Sequence, residues 1–134
     1  MKKTTAFLVT ALFLAIAACC HAQQSAPTKV ASFCGKVVEN NVTGATFKVK
    51  ELQNCDWKIV PQDSNLTVME FQMSLVPKNN AYEYTEKKIT GNAIPGEYKN
   101  QILGQTKNVF LEYIKAVNRQ GQQELIKPIA VRIQ

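Results

Sequence analysis

Few side chains in this sequence could do covalent, acid–base or metal chemistry. There are four cysteines and one histidine. His21, Cys19 and Cys20 fall in the first 22 residues, whereas Cys34 and Cys55 lie well beyond them. A serine or cysteine nucleophile normally needs a histidine base, and His21 sits in a segment that a cut after Ala22 removes. The carboxylates offer neighbours in sequence, Glu83 with Glu86 and Glu51 with Asp56. On a strand Glu83 and Glu86 point to opposite faces, so they do not converge as an acid and a base. A metal site needs three or four ligands, and past residue 22 there is neither histidine nor a C-x-x-C pair. No glycine-rich phosphate loop follows a strand. The residues predict a non-catalytic protein without cofactor or metal.

The first 22 residues explain the loss of the histidine. Lys2 and Lys3 form a basic start, and Ala6 to Ala18 is an apolar run broken only by Thr10. This layout is that of a secretory signal peptide. The run is too short for a bilayer span, which takes about 20 apolar residues. Two cuts are open. Cys20-His21-Ala22 suits a signal peptidase and gives a start at Gln23. Ile16-Ala17-Ala18-Cys19 reads as a bacterial lipobox, which leaves Cys19 lipidated and tethers the domain to a membrane without spanning it. The expected location is the periplasm or an outer-membrane association, with the membrane touched only through such an anchor.

Removing 22 of the 134 residues leaves 112, enough for one domain. The formal charge of +6 falls to +4 once Lys2 and Lys3 are gone. The remaining basic residues are scattered, with Lys87-Lys88 the longest run, and nucleic-acid binding would call for a dense basic stripe. In an oxidising compartment Cys34 and Cys55 are expected to pair rather than stay free or bind metal. The bond closes a loop of about 20 residues and stabilises by about 3 kcal/mol in the chain-entropy view. Asn41-Val42-Thr43 and Asn65-Leu66-Thr67 match the glycosylation triplet, read here as chance.

The elements that position these residues follow from hydrophobic period. Residues 23–29 are a polar, proline-bearing tether, and residues 30–134 read as one domain. Alternation with period two dominates, the mark of half-buried strands. Gly44 to Lys50 places Ala45, Phe47 and Val49 on one face. Asn65 to Val76 places Met69, Phe71, Met73 and Leu75 together. Ala81 to Thr90, with Tyr82 and Tyr84, reads as an edge strand after a turn at Lys78-Asn79-Asn80. Val30 to Gly35 and Trp57 to Val60 are weaker strands. Pro95 to Leu103 breaks the period: Ile94, Tyr98 and Ile102 share a helical face, proline suits the start and Gly104 the stop. Thr106 to Val117 is apolar on both sides, with Val109, Leu111 and Tyr113 opposite Phe110 and Ile114, as a central strand requires. A glycine turn at Asn118 to Gly121 leads into Glu124 to Gln134, where Pro128 marks an edge or bulge. The expected fold is mainly β: an antiparallel β-sandwich of immunoglobulin-like architecture with one short helix near residues 95–103. Trp57 follows both cysteines, so the immunoglobulin order of Cys, Trp, Cys is absent.

The stretch from Pro95 to Gln134 resembles the C-terminal domain of GldM/PorM, periplasmic core components of bacterial gliding motility and type IX secretion. Gly104, Lys107, Glu112, Ile114, Gly121, Pro128 and Ile129 carry the likeness. It implies a β fold and a habit of protein contact. Those proteins have a membrane helix and further periplasmic domains, where this chain has a signal segment and one domain. The expected function is a non-catalytic exported interaction domain of the cell envelope. Its partner is an envelope protein or a second copy, met through Phe110, Ile114, Tyr82 and Tyr84. The alternative is a periplasmic ligand-binding or inhibitor module using a face lined by Tyr82, Tyr84 and Tyr98.

Overall fold

A computed structural model describes residues 26–39 and 44–134. The signal segment, with Cys19, Cys20 and His21, lies outside the described residues, as do residues 23–25 of the tether and Asn41. The elements in chain order are β1 (Ala31–Phe33), β2 (Lys36–Val38), β3 (Ala45–Phe47), α1 (Val49–Gln53), β4 (Ile59–Pro61), β5 (Thr67–Pro77), β6 (Thr85–Thr90), α2 (Gly96–Gln105), β7 (Thr106–Val117), β8 (Gln123–Ile126) and β9 (Ile129–Ile133). The fold is mainly β, as the alternating pattern predicts. A small sheet has the order β2-β1-β4, and a larger one the order β3-β9-β7-β5-β6, with β8 also on β7.

One hydrophobic cluster takes side chains from both sheets. Ala31, Phe33, Val38 and Ile59 come from the small sheet, and Phe71, Met73, Leu75, Val109, Leu111, Ile129 and Val131 from the large one. A shared core between two sheets is consistent with a sandwich. Among the described residues the named strands pair antiparallel except β3 with β9, which is parallel, and the isolated bridge of Lys29 with Ile126 is parallel as well. Cys34 and Cys55 are bonded. No helix among the described residues is long and apolar enough to cross a membrane. Both findings are compatible with an exported protein that does not span a bilayer.

β7 is the central strand the sequence calls for. It pairs with β5 along one side, and with β9 and then β8 along the other. β8 and β9 are one returning strand interrupted at Lys127-Pro128, for Leu111 faces Ile129 and Ile114 faces Ile126 in an unbroken register. Pro128 has no N–H to give the ladder. The Lys127 N–H instead donates to the Lys29 carbonyl at 2.8 Å. The hairpin closes where Gly121, at φ 79°, donates its N–H to the Asn118 carbonyl.

Several expectations are corrected. The strand expected over Gly44 to Lys50 stops at Phe47, and α1 begins at Val49. The Glu51 carboxylate accepts the Lys48 N–H at 2.6 Å, satisfying a free donor of the first turn. Leu52, three residues beyond Val49, is then fully buried. The expected stop at Gly104 also fails, and α2 runs on to Gln105. Lys78 supplies the reason: its N–H donates to the Gln105 carbonyl and its Nζ to the Gly104 carbonyl, at 2.9 and 3.1 Å. Those external donors satisfy carbonyls that a terminal glycine motif would otherwise serve. β2 had no counterpart in the sequence reading. The edge strand β6 begins only at Thr85, so Tyr82 and Tyr84 lie in the loop before it.

Candidate interaction site on the large sheet

The large sheet has one face on the core and one turned away from it. On β5 the outward positions are Glu70, Gln72 and Ser74, between the buried Phe71, Met73 and Leu75. β7 turns Phe110, Glu112 and Lys115 the same way, and β6 adds Glu86 and Lys88 across from Ser74 and Gln72. Three register shifts interrupt the β5–β7 pairing, and two of them fall beside these residues. β5 has an extra residue between Val68 and Glu70, and β7 has one between Glu112 and Lys115, after which the register returns. Such bulges re-aim side chains. Met69 is 48% exposed rather than facing the core with Phe71, and Tyr113 is 67% exposed.

Tyr113 is the more unusual of the two. Its φ of 48° is left-handed backbone, which costs a residue with a β-carbon about 1–2 kcal/mol. Strain of this kind gathers at functional positions. Beside the ring, Glu70 binds two cations: Lys115 at 2.8 Å through Oε1 and Lys88 at 2.9 Å through Oε2. The hydrogen bond from Lys115, followed by that from Lys88, holds the Glu70 carboxyl below its usual range. Glu70, Phe71, Gln72, Lys88, Lys115 and Tyr113 line a groove of about 370 Å³. A second groove of about 330 Å³ opens on the other side of Tyr113, walled by Pro27, Glu112, Leu125 and Pro128 among others. The tyrosine is thus the ridge between two depressions. Further along the same face, the Ser74 hydroxyl is buried with no hydrogen-bond partner among the described residues.

No protein-family model matches the chain, and no curated protein matches it.

The structure brings together part of the set singled out in the sequence. Glu112 and Pro128 share the second groove. Phe110 is half-buried on the outward face, next to Ser74 on one side and Ala130 on the other. Ile114 does not belong there: the bulge turns it into the core, where it is fully buried, and it cannot meet a partner. Ile129 is buried with it. Gly104 ends up inside α2, Lys107 is exposed at the start of β7, and Gly121 makes the hairpin turn. Tyr82, 94% exposed, and Tyr84 belong to a loop rather than an edge strand. Tyr98 packs its ring against the core from α2, and burial, then a hydrogen bond with Glu97, raises its hydroxyl above the ordinary value. The three tyrosines therefore form no common strand face.

Sequence reasoning missed Tyr113, Glu70, Lys88 and Lys115 as a group. One signal was available in the phase of the apolar residues. Val109 and Leu111 keep one parity, Ile114 and Ala116 the other, and only a bulge can put all four on the core side.

Proposed function

We propose that this chain is a non-catalytic, exported interaction domain of the bacterial cell envelope that meets its partner through the outward face of the large sheet. The observation that carries the reading is Tyr113, a bulky ring held outward on strained backbone between two grooves. An exposed aromatic three residues along β7 from the half-buried Phe110 fits an interface centre, where aromatic residues are enriched. Export rests on the signal layout of residues 1–22. A link to gliding motility or type IX secretion is the finer form of the proposal. It rests only on the likeness carried by Gly104, Lys107, Glu112, Ile114, Gly121, Pro128 and Ile129.

Glycine adopts a φ near 48° without penalty, so Tyr113→Gly removes the ring while keeping the bulge. Cross-linking in intact envelopes, followed by sizing of the full chain, is the test. The expected outcome is a discrete complex with the native chain and its loss with Tyr113→Gly, with no loss of thermal stability. A complex that survives both Tyr113→Gly and Phe110→Glu would rule this face out.

A further inference from the structure

We infer that the partner segment carries a carboxylate and a cation flanking the Tyr113 ring, the carboxylate on the Lys88–Lys115 side and the cation on the Glu112 side. This rests on the interaction reading above and names the chemistry of the occupant. On one side of Tyr113, two ammonium groups meet the single carboxylate of Glu70. That groove has an excess of one positive charge, and Lys88 keeps 69% of its side chain exposed. An ammonium has three donors, so an incoming carboxylate finds donors beyond those that Glu70 engages. On the other side, Glu112 lines the second groove, and no cation pairs with it among the described residues. The two depressions are therefore opposite in charge, with an aromatic wall between them.

Opposed charges across one ridge select the direction of a bound segment as well as its composition. A ligand with only acidic groups meets Glu112 unfavourably, and one with only basic groups meets the lysine pair. A segment with both, separated by a small or apolar stretch that lies over the ring, matches each side. Complementarity of this kind supplies specificity more than raw affinity.

The test uses three acetylated, amidated peptides: Glu-Gly-Leu-Gly-Lys, Glu-Gly-Leu-Gly-Gln and Gln-Gly-Leu-Gly-Lys. Each is titrated into the full mature chain at low salt, and amide shifts are followed by NMR. The doubly charged peptide is expected to bind about two- to fivefold more tightly than either singly charged one, the range of an exposed ion pair. Its binding should perturb Tyr113. Lys115→Gln should erase the advantage conferred by Glu, and Glu112→Gln the advantage conferred by Lys. Equal binding of all three peptides, no binding at millimolar concentration, or indifference to both variants would each overturn the inference. If the envelope complex is still lost on Tyr113→Gly in that event, the interaction reading stands and only the partner's charge pattern falls.

Discussion

The two sheets are secured by different means. Each strand of the small sheet has three residues, too few to hold a ladder alone. Covalent and aromatic contacts compensate. Cys34–Cys55 ties the β1–β2 turn to the chain after α1. The Phe33 ring meets Phe47 and Trp57 edge-on at 6.1 and 6.2 Å, and Trp57 Nε1 donates to the Leu52 carbonyl at 2.7 Å. The large sheet is built on β5 and β7, of 11 and 12 residues, which pair along most of their length and absorb three register shifts. Left-handed residues other than glycine occur in both regions. In the first they are Cys34 and Trp57, one in the disulfide and one buried in the core; in the second it is Tyr113, exposed to water. Strain at Trp57 is offset by what its ring packs against. Strain at Tyr113 gains no such packing, and the proposed contact surface rests on that difference.

That contrast can be broken from the core side first. Trp57→Ala should cost about 3–5 kcal/mol, the usual loss for a large buried aromatic, read by chemical denaturation. Next comes removal of the disulfide. Cys34 and Cys55 are 21 positions apart, and replacing both by serine should cost about 3 kcal/mol. The same chain measured with and without reductant should show a matching shift. A loss well below 1 kcal/mol in either experiment would mean that the small sheet is held by something other than these contacts.

Acid sharpens the comparison, because the ion pairs are shared between the regions. Asp63 is held below its ordinary range by the Asn65 N–H and then by Lys29. Glu51 is held down by the Lys48 N–H and then by Lys36, and Glu70 by Lys115 and then Lys88. A depressed folded-state value favours the native chain above the unfolded carboxylate value of about 4. Stability should therefore be constant near neutrality and fall as pH drops below about 4. Glu70→Gln should flatten part of that decline, as followed by thermal melts across the acid range. The smallest effect is expected at Tyr113. Relief of left-handed strain, set against the greater unfolded freedom of glycine, leaves Tyr113→Gly stabilised by about 0.5–1 kcal/mol. A loss above 1 kcal/mol would show that the ring packs against something and is not a free ridge.

Much of the β content was legible because period two survives along β5, β7 and β9 wherever one face meets the core. The helix over residues 96–105 was readable from Ile94, Tyr98 and Ile102, but its end was not, since Lys78 reaches it from the loop after β5. α1 was hidden because Phe47 and Val49 mimic the next step of a strand. For the site, Glu112 and Pro128 were picked out and do meet, whereas Ile114 was misplaced by the bulge.

Taken alone, the sequence determined which residues could leave water. It also set the strand period, the nearness of Cys34 and Cys55 and the poverty of catalytic side chains, all of which depend on residue type and local spacing. The tertiary structure decided which face each residue of β7 took, where Tyr113 points, and that Glu70 joins lysines 18 and 45 positions away along the chain. A one-residue bulge reverses every later side chain while leaving local propensity unchanged, so the apolar phase calls for a bulge and the pairing of β5 with β7 sets where it falls.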